Sequence, residues 1–330
     1  MKKIVLFDPG LENNNGDFSK NLGDLIIQES VVKQLKNVFG DNEIISISTH
    51  SEIGKREKSL LKEADFTFVG GSNLMSSDLK KYNQWKNSKK SFFKEVPIVN
   101  NAILLGVGWW QYQNTPTDFT SSFYQKLLHS DRQHSVRDGY TKQMLHKAGI
   151  DNVINTTCPT IWELDGTSID REYNSESDLL FMLTDYHPNP ELDNSLLTLF
   201  LKYFNKDIYY FPQGSGDRAY LESLEVFKKN SNRFKIMQHN INDLFNLVQS
   251  NKNLVYIGSR LHGGIKCIHN NVPALILAND NRAIEIKKDV NIPVLEKKEL
   301  IEIENWIKGE TSFGKIKVSL EDIAKWKNQF

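Results

Sequence analysis

The sequence is poor in cysteine, with only Cys158 and Cys267 among 330 residues. Two cysteines cannot form a disulfide framework or a cysteine-rich metal site, and they are compatible with a reducing cytoplasm. The 8 histidines are scattered, without a cluster at metal-ligand spacing. We therefore expect a cytoplasmic protein that holds no metal and no other cofactor.

The chain also lacks an excess of charge of either sign. Lys and Arg together number 41, and Asp and Glu together number 41. A neutral chain has no global field that would hold nucleic acid or draw it to an anionic membrane. We expect no nucleic-acid partner, and a site for an anion must be local.

Long apolar runs and a dinucleotide motif are missing too. No apolar run approaches the roughly 18 residues that cross a bilayer. The run at residues 4–7 follows Met-Lys-Lys as a signal peptide would, but Asp8 and Pro9 end it too early. No Gly-x-Gly-x-x-Gly follows this run, which disfavours a dehydrogenase. We interpret it as a first strand and expect no membrane span, while peripheral attachment to the inner face of the membrane stays open.

What the chain has is an alternation of short apolar runs with amphipathic stretches, typical of parallel sheets with helical crossovers. A length of 330 residues suits two domains. We predict an N-terminal Rossmann-like domain at 1–164, a polar linker at 165–176 and a C-terminal Rossmann-like domain at 177–317. An amphipathic helix at 318–330 could return to brace the first domain.

Ten strands are predicted from the apolar runs. Between the first two, Leu25, Val32, Leu35 and Phe39 fall on one face of a crossover helix. The predicted strands are residues 3–7, 44–47, 66–69, 98–107, 135–136, 179–183, 208–211, 234–237, 254–257 and 274–277.

Ligands of open parallel sheets bind beyond the carboxyl ends of the strands, so the loops there are candidate sites. Asn21 and Asp24 lie where a helix should begin, and each can cap that helix or contact a ligand. Gly71, Ser72 and Asn73 follow the third strand; the glycine allows close approach to a ligand, although a Gly-Gly pair also makes an ordinary tight turn.

Two further loops carry aromatic and basic side chains. Trp109 and Trp110 follow a strand end bounded by glycines, and they suit either a stacking wall for a sugar or a cover for the core. Arg137 ends a short strand just before a helix. Its guanidinium can grip a carboxylate or phosphate in two-point fashion, or it can form a structural ion pair with Asp138.

The strongest local signal lies between the strand at 254–257 and the next helix. Ser259, Arg260, His262 and Gly263 fall within five residues, where a phosphate can bind the start of a helix. An imidazole titrates near neutrality and suits an acid or base. A lone histidine is more often structural, but this grouping favours a functional site.

Arg282 follows the next strand and is expected beside this loop. A further basic group there indicates a strongly anionic ligand or a local pair with Glu285, about one helical turn away.

Six blocks in order along the chain resemble the polysaccharide pyruvyl transferase family. No single block is diagnostic, but their order and rough spacing match over nearly the whole chain. The blocks are residues 21–24, 70–73, 135–138, 157–159, 259–263 and 280–285.

The resemblance implies an α/β fold with two Rossmann-like domains facing across a cleft, like that of GT-B glycosyltransferases. It implies a transferase that moves the enolpyruvyl carbons of phosphoenolpyruvate to two hydroxyls of a sugar, giving a pyruvate ketal and phosphate. In such an enzyme the first domain serves the acceptor and the second the donor. The acceptor belongs to a cell-surface polysaccharide or exopolysaccharide pathway, and whether it is lipid-linked stays open.

The resemblance also assigns residues. His262 and Arg137 correspond to family catalytic positions, and Arg282 corresponds to a basic donor-binding position. Together with the local reasoning, the expected donor-binding set is Arg260, Arg282, Ser259, Gly263, Gly71, Ser72 and Asn73, and the expected acceptor-binding set is Asn21, Asp24, Trp109 and Trp110.

The chain departs from the family pattern in two places. Cys158-Pro159 stands where some members have Asp-Pro, and Arg282 stands where others have lysine. Two other functions therefore stay open: a GT-B-type glycosyltransferase with a nucleotide-sugar donor, and a non-catalytic binding protein of the same fold. The oligomeric state is not predicted.

Overall fold

The computed structural model describes residues 2–91, 94–168 and 176–330, and its elements alternate between strands and helices. The first of these are β1 Lys3–Asp8, α1 Leu22–Phe39, β2 Glu43–Ser48, α2 Lys55–Glu63, β3 Phe66–Gly70, β4 Ser88–Ser91, β5 Lys94–Pro97, β6 Ala102–Leu105, α3 Asp118–Leu127, β7 His134–Val136, α4 Gly139–Lys147 and β8 Val153–Asn155.

The remaining elements continue the alternation. They are β9 Asp178–Met182, α5 Pro190–Tyr203, β10 Ile208–Tyr210, α6 Asp217–Ser223, α7 Glu225–Lys229, β11 Phe234–Ile236, α8 Ile241–Ser250, β12 Leu254–Gly258, α9 Leu261–His269, β13 Ala274–Ala278, α10 Asn281–Asp289, β14 Val294–Glu296, α11 Leu300–Ile307 and α12 Leu320–Lys327.

The chain forms two compact units. The first contains Met1–Ser19, Asp24–Glu163 and Val318–Phe330, and the second contains Lys20–Gly23 and Leu164–Lys317. Most of the predicted linker at 165–176 falls on residues 169–175, which lie outside the described residues.

The first unit is built on a parallel sheet in the order β2-β1-β3-β6. A parallel bridge joins Val107, which follows β6, to Val136, the last residue of β7. The strand β7 in turn pairs with β8. Side chains alternate along β1, so Ile4 and Leu6 join one core and Val5 and Phe7 join another on the opposite face. Both faces of this sheet are therefore covered.

The C-terminal helix α12 packs within this first unit. The Trp326 side chain is fully buried, and its ring packs edge-on against Phe68 and Trp162. Phe330 adds a tilted contact with Phe39. The final residues thus belong to the core beside the helix α1.

The second unit contains six parallel strands in the order β11-β10-β9-β12-β13-β14. Counted along the chain within this unit, the order is 3-2-1-4-5-6, the strand order of doubly wound dinucleotide-binding folds. The order reverses between β9 and β12. In folds of this kind, ligands bind beyond the carboxyl ends of the strands at this reversal.

The predicted α/β fold with two Rossmann-like domains is confirmed. The predicted strand at 98–107 is wrong in its extent, because β6 covers only Ala102–Leu105 and a separate hairpin, β4–β5, precedes it. Asn100 and Asn101, side chains that favour turns, interrupt the apolar run. The helices α6 and α7 are separate and meet at Leu224.

Candidate functional site

The main candidate site lies at the carboxyl edge of the second unit's sheet. There β9 ends at Met182 and β12 ends at Gly258, and the amide of Ser259 donates to the carbonyl of Met182 over 2.8 Å. The loop after β9 and the start of α9 therefore flank the point where the strand order reverses. This edge is where the topology predicts a ligand.

The helix α9 begins at Leu261, so its first turn contains His262 and Gly263. The amides of a first helical turn have no acceptor inside the helix and favour an anion. His262 and Ser259 are both buried, with 5% and 6% of their surface exposed. The sequence segment at 259–263 thus folds into a helix start with a buried imidazole.

The glycines of α9 let the helix lie close to the sheet. A Cβ on Gly263 would lie 2.5 Å from Met182 Sδ, and one on Gly264 would lie 2.5 Å from Ile276 Cγ1. These distances are too short for any larger residue. The structure therefore explains Gly263 by packing, whereas the sequence suggested contact with a donor.

Arg260 is held by two carboxylates. Its Nε donates to Asp217 Oδ2 over 3.0 Å, its Nη2 also donates to Asp217, and Nη2 lies 3.4 Å from Asp185 Oδ1. Asp217 is fully buried, and burial raises its pKa although the nearby Arg260 charge opposes that rise. The charge of Arg260 is therefore largely matched inside the protein.

Arg282 has a similar arrangement. Its Nε lies 3.0 and 2.9 Å from the two Asp280 oxygens, and its Nη2 donates to Asp280 and to the Tyr186 hydroxyl. Glu285, the alternative partner considered from the sequence, forms an ion pair with Lys288 over 2.5 Å. Asp280 therefore supplies the local charge balance.

The ring of Tyr186 connects the two arginines. The guanidinium carbons of Arg260 and Arg282 lie 4.9 and 5.4 Å from its centroid. Both distances are within the range of a cation–π contact. The structure thus brings together Arg260 and Arg282, as the sequence predicted, through a tyrosine that the sequence did not indicate.

In the first unit, Arg137 lies at the carboxyl end of β7 with only 1% of its surface exposed. Its Nε donates to Asp138 over 3.3 Å, and its Nη2 donates to Asn73 Oδ1 over 2.6 Å. A Cβ on Gly108 would lie 2.2 Å from Nη2, so this glycine leaves the room that the guanidinium occupies. Arg137 can therefore form the structural ion pair with Asp138 and also bind an anion, because its protein partners occupy only the edge formed by Nε and Nη2.

The three arginines share one pattern of hydrogen bonds. In each of Arg137, Arg260 and Arg282, Nε and Nη2 donate to protein side chains that include a carboxylate. Within residues 2–91, 94–168 and 176–330, Nη1 of each makes no hydrogen bond. A guanidinium held in this way is fixed in direction and keeps one nitrogen for an anionic ligand.

Buried polar atoms without a hydrogen-bond partner occur at the same edge of the second sheet. They are Thr184 Oγ1, Gln213 Oε1 and Asn279 Nδ2, each in the loop after a different strand. Gln213 Oε1 lies 3.1 Å from the place of a Cβ on Gly263, so it adjoins the first turn of α9. Because an unpaired buried polar group costs about 1–3 kcal/mol, these atoms are available to a water molecule or a polar ligand at this edge.

The sequence alone did not indicate Thr184, Gln213 and Asn279 as site residues. Each is an uncharged side chain without a motif, and only the strand topology brings the three loops to one edge. Their position within two residues of the ends of predicted strands was the one available signal.

Two of the predicted acceptor-binding residues, Asn21 and Asp24, lie at the start of α1. Asn21 accepts from the Gly23 amide and from Gln213 Nε2, both over 3.3 Å, and it belongs to the second unit. Asp24, in the first unit, accepts from the Ser19 hydroxyl over 3.1 Å. Asn21 directly precedes α1 and accepts from an amide of its first turn, which is the geometry of a helix N-cap, whereas Asp24 lies inside the helix.

The loop after β3 has an unusual backbone. Gly71 and Ser72 have φ angles of 64° and 60°, in the left-handed region. A Cβ on Gly71 would lie 2.3 Å from Ile27 Cγ2, so glycine is required there by packing as well. The following residue, Asn73, is the one that holds Arg137.

The two tryptophans differ. Trp109 is fully buried, and its Nε1 donates to Gln113 over 2.9 Å, which makes it part of the core and leaves no face for a sugar. Trp110 is half-buried and stacks on Tyr82 at 4.0 Å with an interplanar angle of 1°. The acceptor role expected for Trp109 is therefore wrong in this structure.

A metal site and a membrane-spanning helix each place requirements on the described residues. Among the described residues, no group of three or more His, Cys, Asp or Glu side chains is arranged to hold a metal ion. Within the same part of the chain, no helix is both long and apolar enough to cross a bilayer.

The parallel sheets and the reversal of strand order define an α/β protein with Rossmann-like domains. A family profile described as polysaccharide pyruvyl transferase matches residues 21–281. The chain therefore belongs to the polysaccharide pyruvyl transferase family, a family of transferases. No protein with a curated description matches the chain.

Solved structures with a similar fold include two UDP-GlcNAc 2-epimerases. The UDP-GlcNAc 2-epimerase of Methanocaldococcus jannaschii, in complex with UDP-GlcNAc and UDP, has a TM-score of 0.54 and 14% identity, covering 100% of this chain and 98% of that one. The epimerase of Rickettsia bellii has a TM-score of 0.50 and 11% identity, covering 95% and 89%. At such identities the likeness shows the fold alone, and it supports the predicted GT-B-like class.

Proposed function

We propose that the protein is a pyruvyl transferase that uses phosphoenolpyruvate to form a pyruvate ketal on a sugar of a cell-surface polysaccharide or its precursor. The observation that carries this proposal is the edge of the second sheet. Two arginines of fixed direction, a helix start and a buried imidazole lie there beside buried polar atoms without partners.

The donor's charges fit these groups. Phosphoenolpyruvate carries a phosphate and a carboxylate, which need separate donors at a fixed distance. We assign the phosphate to the first turn of α9 with the Ser259 hydroxyl, and the carboxylate to Nη1 of Arg282. Arg260 is proposed to add a weaker positive charge for the donor at the same edge, because Asp217 and Asp185 already balance much of its charge.

The chemistry requires two new C–O bonds, one new C–H bond and the departure of phosphate. One sugar hydroxyl adds to the central carbon of the donor while its proton goes to the methylene carbon, which becomes a methyl group. The second hydroxyl then displaces phosphate, and its proton leaves with the phosphate. We assign proton transfer to His262, since an imidazole both gives and takes protons near neutral pH.

In the first unit, Arg137 is the second proposed catalytic residue, by correspondence with the family. Asn73 and Asp138 orient it, so Asn73 acts through Arg137. Gly71 and Ser72 shape the loop that carries Asn73. We propose that Asn21, Asp24 and Trp110 serve the saccharide acceptor, which is bound in the cytoplasm.

The direct test is phosphate release from phosphoenolpyruvate with candidate glycans, with the ketal product detected by mass spectrometry. His262→Ala and Arg137→Ala are each expected to slow release at least about tenfold, near 1.4 kcal/mol of lost transition-state stabilisation. His146→Ala and Arg56→Ala, exposed residues of the same types, are the matched controls. Turnover equal to wild type in both site variants would overturn the assignment.

A further inference from the structure

A pocket in the first unit lies apart from all the residues assigned above. It has a volume of about 580 Å³ and lies between the β4–β5 hairpin and α3. Four lysines line it, namely Lys80, Lys90, Lys94 and Lys126, and each is exposed. The pocket thus has a strongly basic rim.

The sequence around this pocket is basic in an otherwise neutral protein. Residues 79–94 contain six lysines and no Asp or Glu, whereas the whole chain has a net charge of zero. The one acidic lining residue, Glu95, accepts a hydrogen bond from the Ser88 hydroxyl. Within the described part of the chain, none of the four lining lysines forms an ion pair.

The inner wall of the pocket is apolar. Phe119 and Phe123 of α3 lie with Val96 and Pro97 of β5, and Phe123 is buried while the other three are half-buried. Lys80 Nζ lies 5.1 Å from the Phe119 ring centroid. A ligand that fills this pocket must therefore be both anionic and apolar.

We propose that this pocket docks the protein on the anionic lipid surface of a membrane. Lipid phosphates contact the lysine rim, and one lipid chain covers the apolar wall. A soluble polyanion would satisfy the lysines and leave the wall in water, whereas a lipid satisfies both. Interfacial binding by basic and aromatic side chains needs no membrane-spanning helix.

The test is co-sedimentation of the full chain with vesicles, in the absence of any donor or acceptor. We expect binding to vesicles of phosphatidylcholine with phosphatidylglycerol, weak binding to phosphatidylcholine alone, and loss of binding as salt increases. The variant Lys90→Glu/Lys94→Glu should bind at least about tenfold more weakly. Lys228→Glu/Lys229→Glu, on exposed α7, makes the same charge change elsewhere and should bind like wild type.

A second variant tests the apolar wall. Phe119→Ser keeps every charge, and it should also weaken vesicle binding severalfold while binding to dextran sulfate is unchanged. Equal vesicle binding by the two double variants would overturn the proposal. So would binding to dextran sulfate without binding to anionic vesicles, or unchanged vesicle binding by Phe119→Ser.

Discussion

At the scale of residues, Arg137, Arg260 and Arg282 owe their direction to neighbours that hold one edge of each guanidinium. Asp138 and Asp280 lie one and two residues from their arginines, so the sequence alone suggests these pairs. Asp217 is separated from Arg260 by 43 residues, and no local pattern indicates it. The sequence therefore reveals the cations, but it does not reveal how much of their charge is already balanced by carboxylates.

A glycine behind Arg137 offers a test of that direction. Gly108→Ala places a methyl group 2.2 Å from Arg137 Nη2, so the guanidinium must move from Asn73. We expect phosphate release to fall at least about tenfold with the fold retained. Gly54→Ala, whose Cβ meets only the flexible Glu57 carboxylate, should retain activity. Full activity of Gly108→Ala would show that the position of Arg137 does not matter.

The buried His134 makes stability depend on pH. The Leu104 amide donates to its Nδ1 over 3.3 Å, its Nε2 lies 3.0 Å from the His129 carbonyl, and burial lowers its pKa to about 4. In the unfolded chain the pKa is near 6.5, so the unfolded state binds more protons between these values. The contribution of neutral, buried His134 to the free energy of unfolding is therefore fully present above about pH 6.5. It is lost as the pH decreases toward 4.

This effect is measured against His134→Gln, which does not titrate. Between about pH 7.5 and about pH 5, the wild type should lose about 2 kcal/mol more unfolding free energy than the variant, as followed by urea denaturation. An equal loss in both proteins would contradict the neutral, buried state of His134.

At the scale of elements, the apolar strands were predictable and the polar hairpin was not. β12 and β13 are buried at every position, and the observed strands match the predicted ones to within one residue. The hairpin β4–β5 carries lysines on both strands, so its hydrophobic pattern gives no signal. Its pairing, Lys89 with Val96 for example, is visible only in the structure.

The C-terminal helix α12 provides a prediction at this scale. Trp326→Ala removes a fully buried indole from the core of the first unit and should lower the free energy of unfolding by about 3–5 kcal/mol. Lys325→Ala, an exposed position on the same helix, should change it by less than about 0.5 kcal/mol. Urea unfolding of both variants checks this, and a cost below about 1 kcal/mol for Trp326→Ala would contradict the packing described.

At the scale of the whole molecule, the alternation of elements was sufficient to predict the class of fold. It did not predict which strands are neighbours, since strand order depends on long-range pairing. That order brings Thr184, Gln213 and Asn279 to the edge that carries His262, and it is the reason why these polar side chains were missed. Family membership is the ground on which we propose phosphoenolpyruvate, rather than a nucleotide sugar, as the donor.

The measurement that tests this central claim most directly is thermal unfolding of the wild-type protein with each donor. A ligand at about 100 times its dissociation constant stabilises the folded state by about 2.7 kcal/mol. We predict that phosphoenolpyruvate raises the melting temperature and that UDP-GlcNAc and UDP do not. Stabilisation by UDP-GlcNAc or UDP, with no effect of phosphoenolpyruvate, would contradict the proposed donor.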